Sequence, residues 1–565
     1  MDPTYRLRMP TNLLALLLPT LIMVAPAGAN TIGSSTQLSL AELTTSDSSY
    51  NTLQAQKSSA WISASGLENN TSALLKAIAD AEAHGLDPSK YNLNSLEQDL
   101  DSFVTNSENN GAYISKDNIS ERQSFEKKLN NSFVQLANDL GRGALDAQAT
   151  QRMLYREPPS VDTNSLLERL NTGEATVSTL LQEVSQSSPY YTNLVDHMRS
   201  LLRERDSGFI RTKVQLIDSV KVGSSDGSVI DLRKRLVETG DLPDDGYLSP
   251  YFGEDVEQAI MDFQARHGIT ATGELNDSTV IALNATVDDD IEEVAMNLER
   301  WRWMPRELGM RHILINIPAY QLTMMNGEQR IVDMGVVVGS KRHQTPVFSK
   351  GAKYVEVAPT WTVPASITNN EIIPIEKRKP GYIDSENMDY YKWVDHKLVR
   401  VPRSQITPED FHKKPFPYVL RQRAGDDNVL GRVKILMPNK YAIYMHDTQA
   451  KKLFAKTDRA FSHGCIRLSD PQRLSSLLLQ LDGKSPEETE SILAKETTTR
   501  VTLHRQTPTH ISYFTAWIGD DGKLNKRKDV YKHNKKLLAS LKSQPTLLKS
   551  LKSRKGTILA EQEEL

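Results

Sequence analysis

The apolar period of this chain changes near residue 310, and that break sets its class before any single residue is weighed. From about residue 61 to 215, apolar residues recur at helical spacing. In "TSALLKAIADAEAHGLDPSKY", Leu74, Ala77, Ile78 and Ala81 share one face and Gly85 closes the run. Beyond 310, "RHILINIPAYQLTMM", "RIVDMGVVVGS" and "KYVEVAPTWTVP" alternate β-branched residues between Pro, Gly and Asn, which is strand texture. A length of 565 residues allows roughly three or four domains. The expected fold class is multi-domain: an α-helical scaffold at 61–222, a three-helix module at 223–286 and a β-rich domain at 290–535.

The module rests on Val256, Ala259, Ile260 and Phe263, spaced for one helix face, with His267-Gly268 at its end and "ATGELNDSTVIALN" as a Gly turn before a short third helix. Within the β-rich domain a polar, Pro- and Lys-rich stretch at 372–426 interrupts the strands and reads as a lid insertion. Trp301 and Trp303 read as anchors at the start of that domain. Asn428, Gly431 and Asn439 read as turn residues. The basic, helix-prone segment 536–565 reads as a solvated tail.

Arg6 and Arg8 precede an apolar run, Leu13 to Ala25, that ends in Ala27-Gly28-Ala29. This is the pattern of a secretory signal peptide at 1–29, followed by a Ser/Thr/Asn-rich flexible leader at 30–60. The run is shorter than the ~20 residues of a membrane span. The expectation is an exported protein of the periplasm, with membrane attachment through an uncleaved signal left open. Lys+Arg 68 against Asp+Glu 71 is near balance and points to no nucleic-acid partner.

In an oxidising compartment cysteines come in pairs, yet Cys465 is the only one. It can form neither an internal disulfide nor a thiolate zinc cluster, so a reactive thiol is the reading to test. No metal or cofactor is called for. Upstream, in "GRVKILMPNKYAIYMHD", Val433, Ile435 and Met437 alternate, Pro438-Asn439 turns, and Ala442, Tyr444 and His446 share a face, which predicts a hairpin. Downstream, Ser469 or Asp470 can cap a helix with Pro471 in its first turn and Leu474, Leu477, Leu478 and Leu481 on one face. Cys465 thus sits on a turn leading into a helix, with Gly464 permitting close backbone approach and amides that can form an oxyanion hole. A thiol of pKa about 8.5 needs a base. His446 and His463 are both candidates on spacing alone.

His446, fifteen intervening residues, then Ser462-His463-Gly464-Cys465-Ile466-Arg467 resembles the signature of the YkuD-type L,D-transpeptidases. The resemblance implies Cys465 as nucleophile, His446 as base, and the carbonyl of Asp447 as its orienter. It places His463 and Gly464 on the oxyanion and substrate side, along with Ser462. Tyr444 is an additional donor. Arg467 either holds a substrate carboxylate or packs the turn. Segments such as "NLERWRWMP", "VVVGSKRHQTPVF", "PTWTVPASI" and "SYFTAWIGDDG" resemble the large YcbB subgroup, and "YFGEDVEQAIMDFQARHGI" resembles a peptidoglycan-binding module. The implied activity joins peptidoglycan tetrapeptide stems, donor and acceptor, in 3-3 cross-links with release of D-alanine. It implies a role in wall synthesis and cell shape, inhibition by carbapenems, and other wall-synthesis proteins as partners. The alternatives are an L,D-carboxypeptidase, attachment of a lipoprotein to the wall, another thiol hydrolase, and a non-catalytic wall-binding protein.

Overall fold

The computed structural model describes residues 59–543 except 110, 115–117, 217–220 and 247. The expected signal peptide, all but the end of the expected leader, and the tail beyond 543 lie outside the described residues. Helices Asn69–Ala79, Leu93–Asn109, Ile119–Arg142, Thr163–Asn171 and Val177–Val184 pack around Trp61, Phe103, Phe125 and Phe133. Of the face read from the sequence, Leu74, Ile78 and Ala81 are fully buried there and Ala77 is half-buried.

Helix Pro189–Asp206 instead packs on Val287–Arg302, which a Thr286–Asp289 capping box starts. A boundary at 290 therefore falls inside a helix that belongs to the scaffold's packing. Trp301 lies stacked between Tyr190 and Phe514, at 5.4 and 4.2 Å between ring centroids, and so ties this helix pair to the β-rich domain. Arg156 reinforces the junction by donating to the carbonyls of Phe348 and Ile511, at 3.2 and 2.9 Å. Helices Ser228–Glu238, Glu254–Arg266 and Asp277–Leu283 form the three-helix module, with Val229, Leu232, Val256, Ile260, Phe263 and Leu283 inside.

The β-rich domain is built on a nine-stranded sheet. Its strands are β1 (Arg311–Asn316), β2 (Gln321–Asn326), β3 (Gln329–Gly339), β4 (Ser349–Val357), β9 (Val433–Leu436), β10 (Tyr444–His446), β11 (Ala460–Ser462), β12 (Ile466–Leu468) and β13 (Thr499–Ser512). The order is β11-β3-β12-β10-β9-β4-β13-β1-β2, and β2 also pairs with β3, so the sheet closes on itself. The long β3 makes this possible because its first half pairs with β2 and its second half with β12. Between β4 and β9 the chain makes a second, four-stranded sheet from β5 (Trp361–Thr362), β6 (Met388–Val394), β7 (Lys397–Val401) and β8 (Val419–Gln422), in the order β5-β8-β6-β7.

Two sequence expectations change here. The insertion starts near Trp361 rather than 372, because "PTWTVP" does not continue β4 and instead pairs Thr362 with Arg421 of β8. The basic tail does not begin as a solvated helix: Asn534–Lys542 buries Leu537 and Leu541 in the core of the β-rich domain. No helix among the described residues is long and apolar enough to cross a membrane.

Candidate active site

The expected hairpin is present, with Lys434 opposite His446 and Leu436 opposite Tyr444 in the β9–β10 ladder. Its loop is longer than a Pro-Asn turn. Asn439 organises it, accepting from the amides of Tyr441 and Ile443 and donating to the carbonyls of Met437 and Ile443. Ala442 adopts φ +55° and lies outside β10, so it does not share the face of Tyr444 and His446 as the alternation predicted.

Strand β10 runs parallel to β12, with Met445 beside Ile466 and His446 beside Arg467. Met445 and Ile466 are buried in the core, and alternation turns Tyr444, His446, Cys465 and Arg467 to the opposite face. Cys465 ends the turn between β11 and β12. Ser462 Oγ closes that turn, donating to the Cys465 carbonyl at 2.6 Å and accepting from the Gly464 amide at 3.1 Å. Gly464 has φ +113°, and a Cβ there would lie 3.3 Å from Ile443 Cδ1, so the position requires glycine. Thr345 Oγ1 holds the Gly464 carbonyl at 2.8 Å. Asp470 caps the following helix, Pro471–Leu481, by accepting from the Arg473 amide.

His446 is buried, and its Nδ1 lies 2.5 Å from the Asp447 carbonyl. A carbonyl only accepts, so Nδ1 carries the proton and Nε2 keeps a free lone pair. Burial first, then the Arg467 charge, lowers the imidazole pKa to about 3, so the ring is neutral at ordinary pH. Burial also pushes the Cys465 thiol up, while hydrogen bonds from Tyr444 and the charges of Lys434 and Arg467 pull it down. The thiol lies 3.6 Å from the Ala442 carbonyl. The resting pair is therefore a neutral thiol and a neutral imidazole. Its proton transfer accompanies attack.

The other sequence-selected residues divide. Tyr444 hydrogen-bonds both the sulfur and Trp361 of the insertion, and its ring lies 4.4 Å from Lys434 Nζ. Arg467 is partly buried beside His446, and its Nε has no hydrogen-bond partner. The His463 ring turns to the insertion, with Nε2 2.6 Å from Glu371 and a stacking contact to His343 at 4.5 Å. The carboxylate of Asp447 serves the hairpin base, accepting from the Arg432 and Thr448 amides and pairing with Lys451 at 2.6 Å. Only its carbonyl reaches the imidazole. Gly431, at φ +60°, leaves room for that carboxylate, since a Cβ would lie 2.3 Å from Asp447 Oδ2.

Sequence reasoning missed Lys434, Glu356, Arg500, Trp361, Glu371 and Thr345. Glu356 pairs with Arg500 at 2.6 Å and lies 3.8 Å from Lys434. Their signal was absent because each meets the site through a strand pairing or an inter-loop contact across long sequence separations.

Residues 310–529 match the L,D-transpeptidase catalytic domain family, YkuD. This part of the chain is an L,D-transpeptidase catalytic domain. Residues 48–198 match a scaffold domain and 225–283 a "Putative peptidoglycan binding domain", so the chain is a multi-domain protein with a helical scaffold, the three-helix module and the β-rich domain. The chain is 33% identical over 246 residues to a Haemophilus influenzae protein named "Putative L,D-transpeptidase", a match that takes in 44% of this chain and 49% of that protein. The chain thus spans about half the length of this curated relative. Similar solved structures include an L,D-transpeptidase from Stackebrandtia nassauensis (11% identity, 53% of this chain and 96% of that one, TM-score 0.20) and one from Mycobacterium smegmatis (13% identity, 36% and 58%, TM-score 0.17).

Proposed function

We propose that this chain is an exported, periplasmic peptidoglycan L,D-transpeptidase that forms 3-3 cross-links through a Cys465 thioacyl-enzyme. The observation that carries the reading is the parallel pairing of β10 and β12. It brings the strand that carries a neutral imidazole of fixed tautomer beside the strand that begins just after the only cysteine of the sequence, both residues on one face of a closed sheet.

The sulfur attacks the carbonyl of the third residue of a tetrapeptide stem as its proton passes to His446 Nε2. The peptide bond to the terminal D-alanine breaks, and the imidazolium returns the proton to the departing amine. An amine on the third residue of a second stem then attacks the thioester, releases the thiol and closes the cross-link. In this reading the turn amide of Cys465 receives the oxyanion, since the Gly464 amide is held by Ser462. His446, neutral before reaction and flanked by cations, is a better proton acceptor for a committed attack than a source of standing thiolate. The insertion acts as a lid through Trp361 and Glu371, and the three-helix module holds the wall polymer.

The test incubates purified protein and Cys465→Ala with disaccharide-tetrapeptide fragments and reads masses. Cross-linked dimer lacking one D-alanine, absent with the variant, supports the reading. D-alanine loss without dimer makes the protein an L,D-carboxypeptidase, and dimer formed only with a lipoprotein lysine makes it a lipoprotein attachment enzyme. No mass change and an unreactive Cys465 leave a wall-binding protein. A carbapenem adduct on Cys465 is the expected companion result.

A further inference from the structure

The peptide unit between Gly464 and Cys465 carries the amide that the proposed reaction gives to the oxyanion, and its carbonyl is the one that Thr345 Oγ1 holds at 2.8 Å. A trans peptide is planar, with N–H and C=O pointing opposite ways, so fixing the carbonyl fixes the direction of the Cys465 amide. Ser462 holds the units on either side, through the Gly464 amide and the Cys465 carbonyl, and Thr345 holds this one. A hydrogen bond accepted by the carbonyl also polarises the unit and strengthens its N–H as a donor. Thr345 is itself held. Its Oγ1 accepts from the Gly339 amide at 2.8 Å, and its own amide donates to Tyr531 Oη at 3.2 Å, which in turn donates to the Gly339 carbonyl at 2.7 Å. Thr345 and Tyr531 are both buried. Each hydroxyl has a single proton and gives it to a carbonyl, so the directions of all these bonds are set. Tyr531 thus ties the two ends of loop 339–345 together. Behind it, the Tyr531 amide donates to Tyr513 Oη at 2.7 Å, and Tyr513 donates to Asp529 at 2.6 Å. Asp529 accepts from the amides of His533 and Asn534 at the start of helix Asn534–Lys542, and Asn534 Oδ1 accepts from Arg300 of helix Val287–Arg302 at 2.7 Å.

Neither the sulfur nor the His446 ring is a member of this chain of bonds. Its three hydroxyls are all paired, which is the condition for a buried polar network to fix one geometry. We infer that Tyr531 and Thr345 are positioning residues for acyl transfer, aiming the Cys465 amide at the oxyanion through the Gly464 carbonyl. The peptide substrate rests on the function proposed above; the aim of the amide does not. Loss of the Tyr531 hydroxyl strands the buried Thr345 amide and Gly339 carbonyl, so the loop shifts to find new partners and the hold on Gly464 loosens. The effect is selective. It falls on steps that pass through a tetrahedral oxyanion and spares displacement at a saturated carbon, where no oxyanion develops.

The test compares two reactions of Cys465 in the full chain, each followed by intact mass. Iodoacetamide alkylates the sulfur with loss of iodide and needs only the thiolate and its base. p-Nitrophenyl acetate passes its acetyl group to the sulfur with loss of p-nitrophenolate and needs the oxyanion donor as well. The ratio of acylation to alkylation rates falls about tenfold in Tyr531→Phe and further in Thr345→Val, short of the roughly 10²–10³ that follows outright loss of an oxyanion donor. Alkylation by itself is unchanged. Thr345→Ser, which keeps the hydroxyl, restores the ratio. Leu541→Ala, which loosens helix Asn534–Lys542 from the core without touching the hydroxyls, lowers the melting temperature and keeps the wild-type ratio. With tetrapeptide donors, Tyr531→Phe lowers kcat and leaves KM as it was. A ratio that is the same in wild type, Tyr531→Phe and Thr345→Val overturns the positioning role, and so does an equal fall in Leu541→Ala, which makes Tyr531 a structural residue only. A ratio that depends on Tyr531 without any peptide turnover by wild type overturns the transpeptidase reading and leaves the positioning role standing.

Discussion

The nine-stranded sheet and the four-stranded sheet of the insertion use the same alternation to different ends. In the larger sheet, Met445, Ile466 and Leu468 fill the closed interior while their neighbours Tyr444, His446, Cys465 and Arg467 line the outer face. In the smaller one, Tyr390 and Leu420 pack on Phe411, Phe416 and Ile383 in a core of its own, and Trp393, on the alternate face, is exposed. The difference shows what chemistry requires of a sheet: a face can carry reactive groups only where the opposite face is packed well enough to fix every strand. The insertion has a core of its own and meets the site through Trp361, at Tyr444, and Glu371, at His463.

The largest effect that tests this division is His446→Gln, which removes the acceptor on the large sheet. Donor acylation falls about 10²–10⁴-fold, while limited proteolysis of the insertion stays as in wild type. Next come paired core truncations, since Leu468 and Leu420 are both fully buried. Each to Ala costs about 2–5 kcal/mol. Leu468→Ala lowers the main unfolding transition, whereas Leu420→Ala speeds hydrogen exchange in 361–422 and leaves the alkylation rate of Cys465 intact; a global loss from Leu420→Ala would break the distinction.

Acid acts on the large sheet through buried imidazoles. Burial lowers His446 to about 3 and His510 and His533 to about 4, all below the ordinary 6.5. The unfolded chain therefore binds more protons in that window. Their contribution to stability is complete above pH 6.5 and is lost as pH falls toward 4, which a melting series at constant ionic strength measures. Cys465 reactivity, by the same reasoning, climbs through and above neutrality with no falling limb between pH 5 and 8. The smallest effect is Glu371→Gln. This exposed pair with His463 changes stability by less than about 1 kcal/mol, and calorimetry against wild type checks it.

Much of the site was legible from local pattern. The hairpin, the turn at Cys465, the Asp470 cap and the helix after it follow from spacing over about forty residues, whereas spacing left His446 and His463 equal and only the resemblance chose between them. What stayed hidden is what the sheet order creates. Glu356, Lys434 and Arg500 are far apart in sequence and ordinary within their strands, and they form a row only because β13, β4 and β9 are neighbours. The division of labour within Asp447, carbonyl to the base and carboxylate to the hairpin, depends on rotamers that no alternation encodes. The start of the insertion was misplaced because Trp361 and Thr362 are strand residues in either sheet. The tail helix was misjudged because its two core leucines sit among lysines.

The parallel pairing of β10 with β12 has a consequence for how such a catalyst can be rebuilt. Nucleophile and base are carried by two strands joined by ladder bonds, so the connecting stretch beyond Lys451, residues 452–458, supplies length and little geometry. New termini opened there, with the natural ends joined elsewhere, should leave the reacting pair in register, and longer loops can be grafted between the two halves to bring in a new recognition surface.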